Sequence, residues 1–154
     1  EHRYLLDAAW GRRPYPGDDF VLPFGQGRLV AEGDDLTVVT WGAMVERCEL
    51  AAQEVEAAIE IIDLRTLVPW DQEMVLAAVR KTSKVLIVHE DIGLGGFGAE
   101  IAATIAQEAL LDLDAPIQRV TAPSCPVPFN TGLMTAVVPS VAKIRAAMAD
   151  ILAF

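Results

Sequence analysis

Lys84-Val-Leu-Ile-Val-His89 is a nearly continuous apolar run that ends on polar residues. A strand reads this way when both its faces are covered, as in the middle of a parallel sheet. Glu90-Asp-Ile-Gly-Leu-Gly-Gly-Phe-Gly98 follows, a glycine-rich turn. A helical pattern then runs over residues 97–111, with Ile101, Ala102, Ile105 and Ala109 on one stripe. Strand, tight turn and amphipathic helix make up the repeating unit of an α/β fold.

The unit recurs on both sides. Upstream, Leu36-Thr-Val-Val-Thr-Trp41 is β-branched and apolar, and a helix over 43–56 places Val45, Cys48, Ala52 and Val55 on one face. A strand over 58–63 and a helix over 71–82 come next. Asp71 is that helix's N-cap, and Trp70 with Val75 fits a hydrophobic staple across its start. Downstream lie a strand over 116–121, a loop through Pro123, Pro126 and Pro128, and a helix over 139–152. That helix has Pro139 at or near its first position and carries Val141, Ile144, Met148 and Ile151 on one stripe. Ahead of all these, residues 28–32 form a short strand, and Gly33-Asp-Asp35 is turn chemistry, so an antiparallel edge hairpin with 36–41 is expected. The expected fold is α/β: a three-layer α/β/α sandwich on a mostly parallel five-stranded sheet with one antiparallel edge strand.

Residues 1–27 differ. Gly11, Pro14, Pro16, Gly17, Pro23 and Gly25 interrupt them and no period is sustained. They read as an extended leader or linker from an upstream domain, with the domain itself over 28–154.

Bulk properties exclude several classes. A length of 154 residues suits one domain with a real core. The net charge of −10, from 12 basic and 22 acidic residues, lacks the basic footprint of a nucleic-acid binder. It fits solubility or a basic protein partner. With 53% apolar residues, no run reads as long enough to span a bilayer, and Glu1-His-Arg3 opens no signal peptide, so neither membrane nor secretion is expected. The two cysteines, Cys48 and Cys125, have no CxxC spacing and suit a reducing compartment. Cys48 falls on a helix's apolar face and reads as core. Cys125, between Ser124 and Pro126, has no base beside it and does not read as a nucleophile.

Ligands of open α/β sheets sit beyond the carboxyl ends of the strands. The segments there are Gly42-Ala-Met44, Leu64-Arg-Thr66, His89-Glu-Asp91 and Ala122-Pro-Ser124. Gly93-Leu-Gly95-Gly96-Phe-Gly98 matches the dinucleotide fingerprint G-x-G-x-x-G letter for letter. However, Glu90 and Asp91 stand where they would repel phosphate, and the next strand ends at Thr121-Ala122 without a carboxylate for a ribose. The glycines therefore read as tight-turn and close-packing residues. His89 beside two carboxylates is a candidate acid, base or pH-tuned donor, with a structural histidine as the commoner outcome. Glu90 belongs to the same candidate group. Arg65 is a candidate anion clamp, with an ion pair to Glu90 or Asp91 as the blander reading. His2 lies in the leader, so neither a zinc site nor a hydrolase triad is supported.

Taken together, these strings resemble the beta part of the thiamine-diphosphate-dependent 2-oxoacid dehydrogenases. The similar strings, in family order, are Val39-Thr-Trp41-Gly42 with Met44-Val45, then Ile61-Ile-Asp-Leu-Arg-Thr-Leu-Val-Pro-Trp-Asp71. His89-Glu90 with Gly95-Gly-Phe-Gly-Ala-Glu-Ile101 follows, then Leu113-Asp-Ala-Pro-Ile117, then Ala122-Pro123 through Pro126-Val-Pro-Phe129. Glu1-x-Arg3-x-Leu5 resembles the boundary with the preceding domain, with His2 in place of an expected proline. The resemblance covers nearly the whole chain.

It implies a fold similar to the transketolase C-terminal domain and an enzyme of alpha and beta parts, separate or fused. The whole enzyme is an oxidoreductase that decarboxylates a 2-oxoacid on thiamine diphosphate with magnesium and reductively acylates a lipoyl disulfide. The family holds the diphosphate and magnesium in the alpha part and the pyrimidine in the beta part's N-terminal domain. This chain is thus expected to bind neither and to be inactive alone. What remains for it is assembly: packing against a second beta part as a homodimer, and docking the subunit-binding domain of the dihydrolipoyl acyltransferase. Asp114 matches an acidic docking position and Phe154 the terminal residue, while Gln118 stands where some members carry an acid. The resemblance implies a bacterial cytoplasm or a mitochondrial matrix. The other readings are a small-molecule or nucleotide-binding regulatory module, and a transketolase or deoxyxylulose-phosphate synthase domain. The pairing of Asp63-Leu-Arg-Thr66 with Pro69-Trp-Asp71 speaks against the last.

Overall fold

The computed structural model describes residues 3–7, 9, 12 and 14–154. Its elements run α1 (Arg3–Asp7), β1 (Arg28–Ala31), β2 (Leu36–Thr40), α2 (Met44–Ala52), β3 (Ile59–Asp63), α3 (Gln72–Thr82), β4 (Val85–Ile92), α4 (Gly98–Glu108), β5 (Gln118–Ala122), α5 (Thr131–Val137) and α6 (Val141–Leu152). The sheet order is β1-β3-β2-β4-β5. β2, β3, β4 and β5 are parallel and β1 alone runs antiparallel, on β3.

The inner strands alternate between two cores. Val38, Ile61, Leu86 and Val88 face α2 and α6, where they meet Met44, Cys48, Ile144, Met148 and Ile151. Val39, Ile62, Val85 and Ile87 face α3 and α4, where they meet Val75, Val79, Ile101 and Ile105. A period of two in the strands therefore builds both interfaces of the expected three-layer sandwich. Asp71 caps α3 as expected, its carboxylate accepting from Met74 N at 3.1 Å. Its other oxygen accepts from Gly27 N at 2.9 Å, which ties the end of the leader to the helix. Trp70 and Val75 share the core on that face, in keeping with the staple.

The expected hairpin does not form. β1 pairs with β3, not with β2. The link over residues 32–35 crosses two strand spacings, roughly 10 Å, within reach of four residues at roughly 3.3 Å each. It passes directly over the start of β3. A Cβ on Gly33 would lie 2.4 Å from the backbone of Ala58 and Ile59. Asp35 fastens the crossing: its N donates to Ala58 O at 3.0 Å and its carboxylate accepts from Ala58 N at 2.7 Å. The chain bends at Asp34 and Asp35, where turn residues stand, but the strand it crosses is not legible in the sequence.

Other boundaries shift. α2 ends at Ala52, short of 56, and β5 begins at Gln118, not 116. The helix expected over 97–111 is α4 followed by a separate 3-10 turn at Leu110–Asp112, because Ala109 leaves helical geometry (φ −143°). Pro139 precedes the cap Ser140 and so lies outside α6. The leader contains the short helix α1, whose Leu5 packs on the core. α5 was not expected; Asn130 caps it through Gly132 N and Leu133 N. Contrary to the sequence reading, Thr131–Leu152 reaches the length and hydropathy of a membrane span. It is two helices, and Ile144, Ala147, Met148 and Ile151 of the second are buried in the core.

Candidate functional site

His89, Glu90 and Asp91 lie inside β4, not after it. They form a bulge. Val88 pairs with Val120 and Ile92 with Ala122, so three residues of β4 face one of β5. A bulge re-aims side chains at a strand's end. His89 keeps the inward phase of Val85 and Ile87 and is at 0% exposure.

Its surroundings explain the glycine motif. The imidazole stacks on Trp41, with ring centroids 5.2 Å apart and planes 10° from parallel. Phe97 meets Trp41 edge-on at 6.3 Å. A Cβ on Gly98 would lie 2.4 Å from His89 Nε2, and one on Gly96 would lie 2.8 Å from its Cε1. Gly95 takes φ +74°, where an L side chain is strained. The fingerprint-like spacing is therefore the shape of a turn folded over a histidine, as the packing reading expected. Among the described residues, His89 Nδ1 and Nε2 are the buried side-chain polar atoms without a hydrogen-bond partner. Burial pushes the His89 pKa down from its ordinary value; Asp91 opposes this and Arg119 adds to it. The lowered value favours the neutral ring, which is closed off from solvent.

Arg65 follows β3 in the left-handed region (φ 59°) and is exposed. No salt bridge among the described residues joins it to Glu90 or Asp91. The carboxylate beside it is Asp63, which accepts from Arg65 N at 3.1 Å and lies 3.8 Å from the Arg28 guanidinium. Burial raises the Asp63 pKa, against the lowering effects of the Arg65 backbone, Arg28 and Arg65. Asp63 was not singled out from sequence, although an aspartate ending a buried strand is a visible signal. The structure does not join Arg65 to Glu90 in one site.

Two hollows open at this end of the sheet. One of about 640 Å³ is lined by Leu67, Pro69, Trp70, Gly96, Phe97 and Glu100 among others. The other, about 310 Å³, lies between Glu90 and Asp91 and the loop after β5, and takes in Cys125 and Met134. The lining residues around Cys125 are the carboxylates of Glu90 and Asp91 and apolar groups, with no Lys, Arg or His among them.

Asp114 and Phe154 lie at the opposite end. Asp114 N donates to Ser83 O at 2.8 Å, and Lys84 Nζ reaches Leu152 O at 3.5 Å. Both segments therefore converge on the start of β4. Asp114 is exposed, Leu111 is 99% exposed and Phe154 is 67% exposed. Gln118 opens β5 and is half-buried.

Residues 25–144 match the family described as transketolase, C-terminal domain. The chain belongs to this family. Its relatives are beta subunits of 2-oxoacid dehydrogenases. It is 46% identical over 117 residues to 2-oxoisovalerate dehydrogenase subunit beta 2, mitochondrial, of Arabidopsis thaliana, covering 74% of this chain and 33% of that protein. It is 39% identical over 143 residues to the corresponding subunit of Bacillus subtilis, covering 90% and 44%. It is 38% identical over 122 residues to pyruvate dehydrogenase E1 component subunit beta of Staphylococcus epidermidis, covering 77% and 38%. The chain thus spans less than half the length of these relatives. Among solved structures, a split-gene transketolase described as an inactive beta4 tetramer superposes with a TM-score of 0.75 at 25% identity, covering 89% of this chain and 44% of that one. A 2-oxoglutarate:ferredoxin oxidoreductase from Magnetococcus marinus shares the fold alone, at a TM-score of 0.54 and 12% identity, over 82% of this chain and 19% of that one.

The glycine turn is filled by His89, Glu90 and Asp91 flank it, and among the described residues no group of three or more His, Cys, Asp or Glu is placed to hold a metal.

Proposed function

We propose that this chain is the C-terminal assembly and docking domain of the beta part of a thiamine-diphosphate-dependent 2-oxoacid dehydrogenase. The whole enzyme would oxidatively decarboxylate a 2-oxoacid, using thiamine diphosphate and magnesium bound outside these residues, and reductively acylate a lipoyl disulfide. Its partners are an alpha part, a second beta part and the subunit-binding domain of the dihydrolipoyl acyltransferase. The location is a bacterial cytoplasm, or a mitochondrial matrix in a eukaryote; named relatives include mitochondrial proteins. The domain begins at about residue 28, and residues 1–27 are the connection to an upstream domain.

The observation that carries the reading is the similarity to dehydrogenase beta subunits over 74–90% of the chain. The surface at the start of β4 supports the docking role. Asp114 supplies an exposed carboxylate there, and Leu111 and Phe154 are exposed apolar side chains in segments that reach the same end of the fold. A charged, salt-sensitive contact with a basic partner is the chemistry this surface offers. His89, Glu90 and Arg65 shape the opposite end, toward the rest of the enzyme. Asp114→Lys should weaken binding of the subunit-binding domain at least tenfold, and so should removal of Phe154. Unchanged binding in both variants would overturn the docking role.

A further inference from the structure

We propose that His89 and the turn over residues 93–98 form a pH-sensitive latch, in which protonation of the imidazole releases the turn and reshapes the 640 Å³ hollow beside it. The latch goes beyond the docking reading and lies at the other end of the sheet.

Three observations carry it. First, His89 is fully buried, and no hydrogen bond of good geometry reaches either ring nitrogen; the Asp91 backbone is the polar group close enough to favour a proton there. A neutral ring tolerates that at modest cost. A cation there has no solvent contact and has only the charge and backbone of Asp91 to offset its burial, and an under-compensated buried charge is strongly disfavoured. Second, the turn is the removable wall. Trp41, stacked on the ring, is held in the core, and Ile87 in the middle of β4 lies beside Gly98. The turn lies over the ring with Gly96 and Gly98 as its contacts, while Leu94 and Gly95 face solvent. Third, the wall is shared. Gly95, Gly96 and Phe97 line the hollow on their outer side, opposite Leu67, Pro69 and Trp70. Opening the turn therefore changes the hollow.

The charged groups that bear on the ring are Asp91, from its own strand, and Arg119, from β5. Arg119 also holds the turn, donating to Gly93 O at 2.9 Å. Trp41, Phe97 and Gly98 bring no charge. After release the imidazolium keeps the face of Trp41, a favourable surface for a cation.

The test uses the full chain with labelled histidine and backbone nitrogen. The chain has two histidines, so His89→Gln assigns the signal. From pH 8 downward, His89 should take up its proton below the ordinary histidine value. The amide signals of Gly93, Gly95, Gly96 and Gly98 should move with the same midpoint. In His89→Gln that glycine step should be lost. If this variant does not fold, the joint titration in the unaltered chain decides. Glycine signals that stay still while His89 titrates would overturn the proposal. So would a glycine step that persists in His89→Gln, or a ring that stays neutral until the whole chain unfolds.

Discussion

Gly98 and His89 are packed so closely that a single added carbon on the glycine would lie 2.4 Å from the imidazole Nε2. The two residues are nine positions apart in a strand and the helix after it. Gly98→Ala should cost about 1–3 kcal/mol through overpacking. Trimming the ring in His89→Ala should recover part of that loss. A double-mutant cycle in urea checks this, with a coupling of roughly 0.5–3 kcal/mol expected. Gly95→Ala is the control. It is strained by its φ of +74° with open space around it, so its cost should not respond to His89→Ala.

The buried imidazole also sets an acid limit. Its pKa is lowered in the folded chain from 6.5. As pH falls through that unfolded value, the unfolded chain binds the proton first, so stability must fall. This contribution is complete above about pH 6.5 and is lost as pH drops toward the lower folded value. Urea midpoints at pH 8 and pH 5.5 should differ more for the unaltered chain than for His89→Gln.

The two cysteines should behave oppositely. Cys48 is fully buried, and burial pushes its thiol up to about 12 from 9.0. Cys125 is exposed. A thiol reagent at pH 8 should modify one cysteine per native chain and two after denaturation. Because the Cys48 value is raised, its contribution is intact below pH 9 and is lost as pH climbs toward 12. Rapid modification of both thiols in the native chain would show that α2 is not packed as described.

Gly33 tests the crossing that replaced the expected hairpin. Its Cβ would meet the backbone of Ala58 and Ile59 at 2.4 Å, and backbone cannot step aside as a side chain can. Gly33→Ala should therefore cost about 3 kcal/mol, a fall in midpoint readable by thermal melting. A simple hairpin of β1 on β2 would tolerate the change. A shift near zero would contradict the observed strand order.

The layers were legible because apolar periodicity records which faces are covered. Val38 and Val39, or Leu86 and Ile87, go to opposite cores as their alternation requires. The partner of β1 was not legible, because four residues can close a hairpin or step over a strand, and only the backbone at Ala58 distinguishes the two. The glycine motif was legible as packing through the carboxylates that follow His89. That the histidine itself fills the turn was not: alternation puts His89 on the face of Ile87, but the path of the glycine turn back over the ring is a tertiary contact. Asp114 and Phe154 lie far apart in sequence, and only their convergence on the start of β4 brings them to one end. α5 went unseen because it is one short helix of seven residues behind a proline-rich loop, and none of its residues is buried.

The most direct measurement of the docking account is calorimetry of the chain with an acyltransferase subunit-binding domain at two salt concentrations, with NAD and ATP as alternative ligands. The account predicts saturable binding of the domain, weaker at 300 mM than at 50 mM salt by roughly tenfold or more, and no nucleotide binding. Absent or salt-indifferent binding of the domain, or micromolar binding of either nucleotide, would contradict it.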